Sequence, residues 1–213
     1  MDTADLALVL AMDTSGSVSD GRLGLQIEGY ADAIGDPAFV RAIQGGRQGR
    51  IALTFVQWSS ADWQRQLVGW ALIGDLAAAL RFAAEVRRVP RPIPGVTSIS
   101  GAIDFSAALL RRAGLDRTRA VIDVSGDGRN NDGRPVRAAV EDAVASGITI
   151  NGLPIIGLEP DIDDYYRREV IGGPGAFALP AREPSSFGQS LLQKLLLEVA
   201  VLDRPVSCRP NLL

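Results

Sequence analysis

Residues 6–12 are apolar at every position and run into Asp13, the pattern of a strand buried on both faces that ends in a charge. The spacing then changes. Leu23, Ile27, Tyr30 and Ile34 fall three and four apart, which predicts a helix over residues 20–34. Pro37 punctuates, and residues 39–43 form a short amphipathic piece ahead of the Gly45-Gly46 turn. Residues 51–56 read as a second strand and 66–72 as a third; the interval is too short for a helix, so the two should pair antiparallel. Helical patterns follow at 75–86, 100–112, 134–146 and 161–171, and strand patterns at 120–124, 148–156 and 176–179. A stiff, proline-rich step from Pro90 to Gly95 separates the first two of these helices. The last element is a helix over 184–202 with Phe187, Leu191, Leu195 and Val199 on one stripe.

This alternation predicts a single α/β domain over residues 1–213. Its sheet should be doubly wound and mostly parallel, six-stranded with one antiparallel edge strand, and covered by helices on both faces. Right-handed crossovers place the loops after the first and fourth strands, and the loop entering the helix at Ser100, along the carboxyl edge of the sheet.

Composition narrows the chemistry. Hydrophobic residues make up 46% and charged ones 22%, enough for a sizeable core, and the net charge of −3 argues against nucleic acid as a partner. Arginines cluster at Arg87, Arg88 and Arg91 and at Arg111 and Arg112, where they complement helix C-termini. Histidine is absent, which excludes a Ser-His-Asp triad and His-ligated zinc. The single cysteine, Cys208, excludes an internal disulfide and reads as an incidental thiol. No apolar run is long enough for membrane insertion. The chain fits either a cytoplasmic protein or an exported one whose signal has been trimmed.

The first strand ends in Asp13-Thr14-Ser15-Gly16-Ser17, where a tight turn can aim one carboxylate and two hydroxyls at one point, with Gly16 letting the backbone fold closely. Thr97, just ahead of a helix, and Asp127, just after a strand, belong to loops on the same edge. Two carboxylates and three hydroxyls make a hard oxygen set suited to Mg²⁺. Taken singly each piece has an ordinary explanation: Asp and Ser favour turns, Thr97 or Ser98 could cap a helix, and Asp-Gly is a common turn. Their order and their loops make the set specific.

These residues resemble the metal-ion-dependent adhesion site (MIDAS) of von Willebrand factor A and integrin I domains. Residues 13–17 match its DxSxS element, Thr97 the threonine of its second loop and Asp127 the aspartate of its third. The likeness extends over essentially the whole chain, and the first segment is also similar to a bacterial family of A-domain proteins of unassigned function. The third loop departs from the pattern, reading Ser125-Gly126-Asp127-Gly128 where relatives often carry a threonine before the aspartate. The resemblance implies a protein-binding module rather than an enzyme. Its Mg²⁺, with Mn²⁺ and Ca²⁺ left open, would be held by Asp13, Ser15, Ser17, Thr97 and Asp127. A vacant position on the ion would accept an Asp or Glu carboxylate from a partner protein.

Asn130, Asn131 and Asp132, on the rim of that edge, and Trp63, in the polar hairpin loop, are expected partner contacts. A calcium-loop reading of residues 127–133 fails because Arg129 takes a ligand position. Asp161, Asp163 and Asp164 read as a helix start rather than a second metal site. The competing function is a metal-dependent phosphatase or phosphotransferase with Asp13 as nucleophile. Enzymes of the haloacid dehalogenase type want a second Asp two residues on, where this chain has Ser15, and a well-placed lysine, whereas the only lysine, Lys194, falls in the last helix.

Overall fold

Alternation along β1 (Leu6–Asp13) sets the architecture. Leu6, Leu8, Leu10 and Met12 enter one core, and Ala7, Val9 and Ala11 the other, because successive strand side chains point to opposite faces. Both faces are covered, which is why the run carries no polar position before its end. The structure is a computed structural model describing residues 3–18, 20–90, 95–115, 118–157, 159–182 and 187–200. Cys208, residues 91–94 of the proline-rich step and the ends expected for the last helix at Pro184 and Leu202 lie outside these.

β2 (Ile51–Trp58) and β4 (Arg119–Gly126) flank β1 in parallel, β5 (Ile148–Pro154) runs parallel to β4, and β3 (Gln64–Ile73) pairs antiparallel with β2. The order is β3-β2-β1-β4-β5. Helices α1 (Asp20–Ile34), α2 (Pro37–Gln44), α3 (Leu76–Arg87) and α7 (Phe187–Ala200) pack on the first face. On the second lie α4 (Ile99–Arg112), α5 (Val136–Ala145) and the short α6 (Ile162–Tyr165), which continues as a π-helical turn over Tyr166–Val170. The helix starts follow local chemistry. Asp36 accepts from Ala38 N at 2.6 Å and Asp75 from Ala78 N at 2.7 Å, capping α2 and α3. Ser98 Oγ accepts from Gly101 N at 3.2 Å at the head of α4.

The expected sixth strand is corrected. Residues 176–179 form no strand of the sheet, which has five among the described residues. The segment follows the β5 edge through single bridges, Gly152 to Ala178 and Ile155 to Ala181. Its surroundings explain this. Gly173 and Gly175 hold φ of 94° and 72°, and Pro174 and Pro180 have no N–H to offer a ladder.

The last helix also departs from its apolar stripe, since Lys194 and Glu198 on its inner face are fully buried. Lys194 Nζ lies 2.8 Å from Asp123 Oδ1 on β4 and 2.9 Å from Glu198 Oε1, over the Phe177 ring at 4.8 Å. Asn151 Nδ2 donates to both Glu198 oxygens at 2.7 and 2.9 Å, while Arg119 Nη2 approaches Glu198 Oε2 at 3.6 Å. Two cations thus face two carboxylates. Burial opposes the charge on Lys194, but Asp123 and Glu198 outweigh it and raise its pKa.

Candidate metal centre

Strand order places the site. The chain leaves β1 toward β2 but leaves β4 toward β5, so the loops after these two neighbouring strands diverge and open a crevice at the carboxyl edge. Asp13 ends β1 on one side of it, and Asp127 follows β4 on the other.

Each of the three loops is tied to the other two. Thr14 anchors the first loop to β2 through its N–H and hydroxyl, both donating to Trp58 O at 2.9 and 3.0 Å. Gly16 N donates to Gly95 O at 2.8 Å, joining the first loop to the second. Ser15 Oγ and Ser17 Oγ are 3.1 Å apart, and Ser17 Oγ donates to Asp127 Oδ1 at 2.5 Å, joining the first loop to the third. The second loop meets the third where Thr97 N donates to Asn131 Oδ1 at 2.8 Å and Thr97 O accepts from the N–H groups of Asn131 and Asp132 at 2.9 and 3.2 Å. The Thr97 hydroxyl faces Gly128, where an added Cβ would lie 3.6 Å from Oγ1. Hydrogen bonds therefore link Asp13, Ser15, Ser17 and Asp127, with Thr97 set beside Asp127's neighbour.

The electrostatics are unbalanced. Asp13 is wholly buried; its Oδ1 accepts from Ser15 N at 2.7 Å and its Oδ2 has no hydrogen-bond partner. Burial pushes its pKa up to about 7, against hydrogen bonds from Ser15, with help from the nearby Asp127 charge and against a weaker pull from the Asp127 N–H. Arg22 Nη1 lies 3.6 Å from Asp127 Oδ2. An orphaned carboxylate oxygen beside a second carboxylate and a row of hydroxyls fits a hard divalent cation. Among the described residues no group of three or more His, Cys, Asp or Glu could hold a metal, so an ion here depends on the hydroxyls.

The residues expected to meet a partner are used internally as well. Asn130 Oδ1 accepts from Ser100 N at 3.1 Å, and Asp132 Oδ2 from Ala61 N at 2.7 Å. With Asn131 they brace the second loop and the start of α4. Trp63 is half-buried beneath the Arg65 guanidinium, 5.5 Å from its ring centroid; Trp70 is also partly buried and Trp58 is fully buried.

Two residues near the site were not singled out from sequence. Glu159 meets the third loop by accepting from Arg129 N at 3.3 Å and pairing with its Nε at 3.0 Å. Tyr166, the first residue of the π-helical turn, is fully buried with an unpartnered hydroxyl. Its ring rests where a Cβ on Gly152 would lie 2.6 Å from Cδ1. A Cβ on Gly126 would lie 2.7 Å from the Tyr166 hydroxyl and 2.9 Å from Asp13 Oδ2. Glycines inside two strands were the available signal, since they mark places where something approaches the backbone closely.

A family model described as "Protein of unknown function (DUF1194)" matches residues 3–203. No curated protein matches. Among solved structures, proximal thread matrix protein 1 from the mussel byssus superposes with TM-score 0.68 at 14% identity, covering 93% of this chain and 48% of that one. Another structure of that protein has a zinc-occupied MIDAS motif. The pilus adhesin SpaC from Lactobacillus rhamnosus GG gives TM-score 0.66 at 14% identity, covering 93% of this chain and 31% of its own. A von Willebrand factor type A structure from Catenulispora acidiphila gives 0.63 at 15% identity, covering 91% and 42%. The chain thus spans under half the length of each of these three, and at such identities the likeness is one of fold.

Proposed function

The chain belongs to the DUF1194 family and has the von Willebrand factor A fold, and on that premise we propose that it is a protein-binding module whose carboxyl-edge site holds a divalent cation. The same reading takes residues 1–213 as one domain. Asp13, Ser15, Ser17, Thr97 and Asp127 would hold the ion, directly or through water, with Mg²⁺ the first candidate and Mn²⁺ or Ca²⁺ alternatives. When bound, the cation supplies a position for an Asp or Glu carboxylate of the partner. The observation that carries the reading is the meeting of Ser17 with Asp127, 110 residues apart, at 2.5 Å beside the orphaned Asp13 Oδ2. The folds of an adhesin and of a matrix protein with a metal-occupied MIDAS motif support it. Phosphoryl transfer from Asp13 gains no support from the lysine such an enzyme uses, because Lys194 is enclosed between Asp123 and Glu198.

Thermal unfolding with Mg²⁺, Mn²⁺, Ca²⁺ and excess chelator tests the ion. A ligand at a hundredfold its Kd stabilises by about 2.7 kcal/mol, a Tm rise of several degrees that chelator reverses. If none of these cations moves Tm, the reading fails. Selection from a displayed peptide library tests the partner chemistry: enrichment of Asp- or Glu-bearing peptides that chelator releases is the expected result, and enrichment indifferent to chelator would contradict it.

The Asp13 carboxyl adds a pH dependence. Its folded pKa is raised, so its contribution to stability in metal-free protein is full below its ordinary 3.8 and is lost as pH rises through about 7. A cation favours the ionised form. Apparent Mg²⁺ affinity should therefore fall by about tenfold per unit as pH drops below that pKa, as the proton competes for Asp13. Calorimetric titration between pH 5.5 and 8.5 measures this; a flat profile would remove Asp13 from the ligand set.

A further inference from the structure

We propose that Tyr166 is a positioning residue of the cation site, its hydroxyl donating to Asp13 Oδ2 and fixing the orientation of that carboxylate. Both atoms are fully buried, and neither has a hydrogen-bond partner. They bound one small space, the one a Cβ on Gly126 would occupy at 2.7 Å from the hydroxyl and 2.9 Å from Oδ2. A phenol can donate and an ionised carboxylate can only accept, so the two orphans are complementary, and because a carboxylate oxygen has two lone pairs a bond from Tyr166 leaves Oδ2 one for a cation.

The fold goes to some length to put Tyr166 there. The ring lies over Gly152 on β5 and its tip over Gly126 on β4; any side chain at either glycine would clash with it. Consecutive helical residues point about 100° apart, so the two neighbouring tyrosines face different ways. Tyr165 faces outward, its hydroxyl accepting from Asn130 N at 3.3 Å and its ring under Arg129 at 4.8 Å, while Tyr166 points beneath the first loop. Neighbours that orient a metal-binding side chain commonly change affinity by about 10- to 100-fold when removed. Tyr166 stands in that relation to Asp13.

The consequence for the ion rests on the metal-binding reading above; the contact itself does not. Two measurements separate them. In metal-free protein, Tyr166→Phe and Asp13→Ala are combined in a thermal-unfolding cycle. A Tm change on Tyr166→Phe that disappears in the Asp13→Ala background supports the contact, and equal changes in both backgrounds overturn it. In a Mn²⁺ titration followed by the electron paramagnetic resonance of free ion, Tyr166→Phe should weaken binding about tenfold; unchanged affinity overturns the positioning role. A hydroxyl that is buried to no purpose predicts the reverse pattern, a raised Tm in both backgrounds and unaltered Mn²⁺ affinity. Should the wild type take up no Mn²⁺, the metal reading fails, and the metal-free cycle alone decides whether Tyr166 engages Asp13.

Discussion

Asp13→Asn is expected to abolish the Tm response to divalent cations while making the metal-free protein more stable above pH 7. The substitution keeps the side chain's shape, removes its charge and turns one acceptor oxygen into an NH2 donor, with Oδ1 still able to accept from Ser15 N. In the folded state that charge is fully buried, with one oxygen unpartnered and a second carboxylate nearby, which is why its pKa rises to about 7. Relieving it should add on the order of 1–2 kcal/mol without metal. The same change withdraws the carboxylate at the centre of the proposed ligand set, so the stabilisation by Mg²⁺ or Mn²⁺ disappears. Opposite signs in the two conditions distinguish a ligand from a residue that is merely strained. A variant that still gains several degrees with Mg²⁺ would show that the ion, if bound, sits elsewhere.

The second large effect concerns the interior. Lys194→Met should cost about 3–5 kcal/mol, because it leaves Asp123 and Glu198 buried without the ammonium between them. Urea denaturation at pH 7.5 and again near pH 5 would measure it. The loss should shrink at the lower pH, where the stranded carboxyls take up protons and cease to be buried charges. Adding Asp123→Asn to Lys194→Met should recover part of the loss. Loss below about 1 kcal/mol at both pH values would mean that water reaches these groups and the cluster is not dry.

These two residues also mark where the sequence could and could not be read. β1, β2 and β4 were visible because strands covered on both faces must be apolar at nearly every position. The hairpin partner β3 was visible because nothing helical fits between residues 58 and 64. Asp13, Ser15, Ser17 and Asp127 could be proposed together because strand order brings the loops after β1 and β4 to one edge, and Thr97 joined them through its place ahead of α4 and the MIDAS resemblance. Lys194 could not be placed. In a helix with Glu198 one turn on it reads as a solvated pair, and the second carboxylate that encloses it, Asp123, lies 71 positions earlier on the strand beneath. Tyr166 was hidden for a different reason: Ile162, Tyr166 and Val170 lie four apart and read as an ordinary buried stripe, and nothing in that spacing says that the hydroxyl reaches Gly126 and Asp13. Residues 176–179 had the composition of a strand, and the glycines and prolines on either side kept them to isolated bridges.

The second loop is held by its main chain. Gly95 O receives Gly16 N, Val96 N donates to Ser60 Oγ, and Thr97 is fastened at both its N–H and its carbonyl. Between those fixed points the Val96 side chain is 51% exposed and takes no part in the fastening. On the proposed reading, variation at this position leaves the oxygen ligands in place while altering the surface beside them. If that reading holds, a lineage can move from one binding preference to another there through folded intermediates, without first dismantling the proposed site.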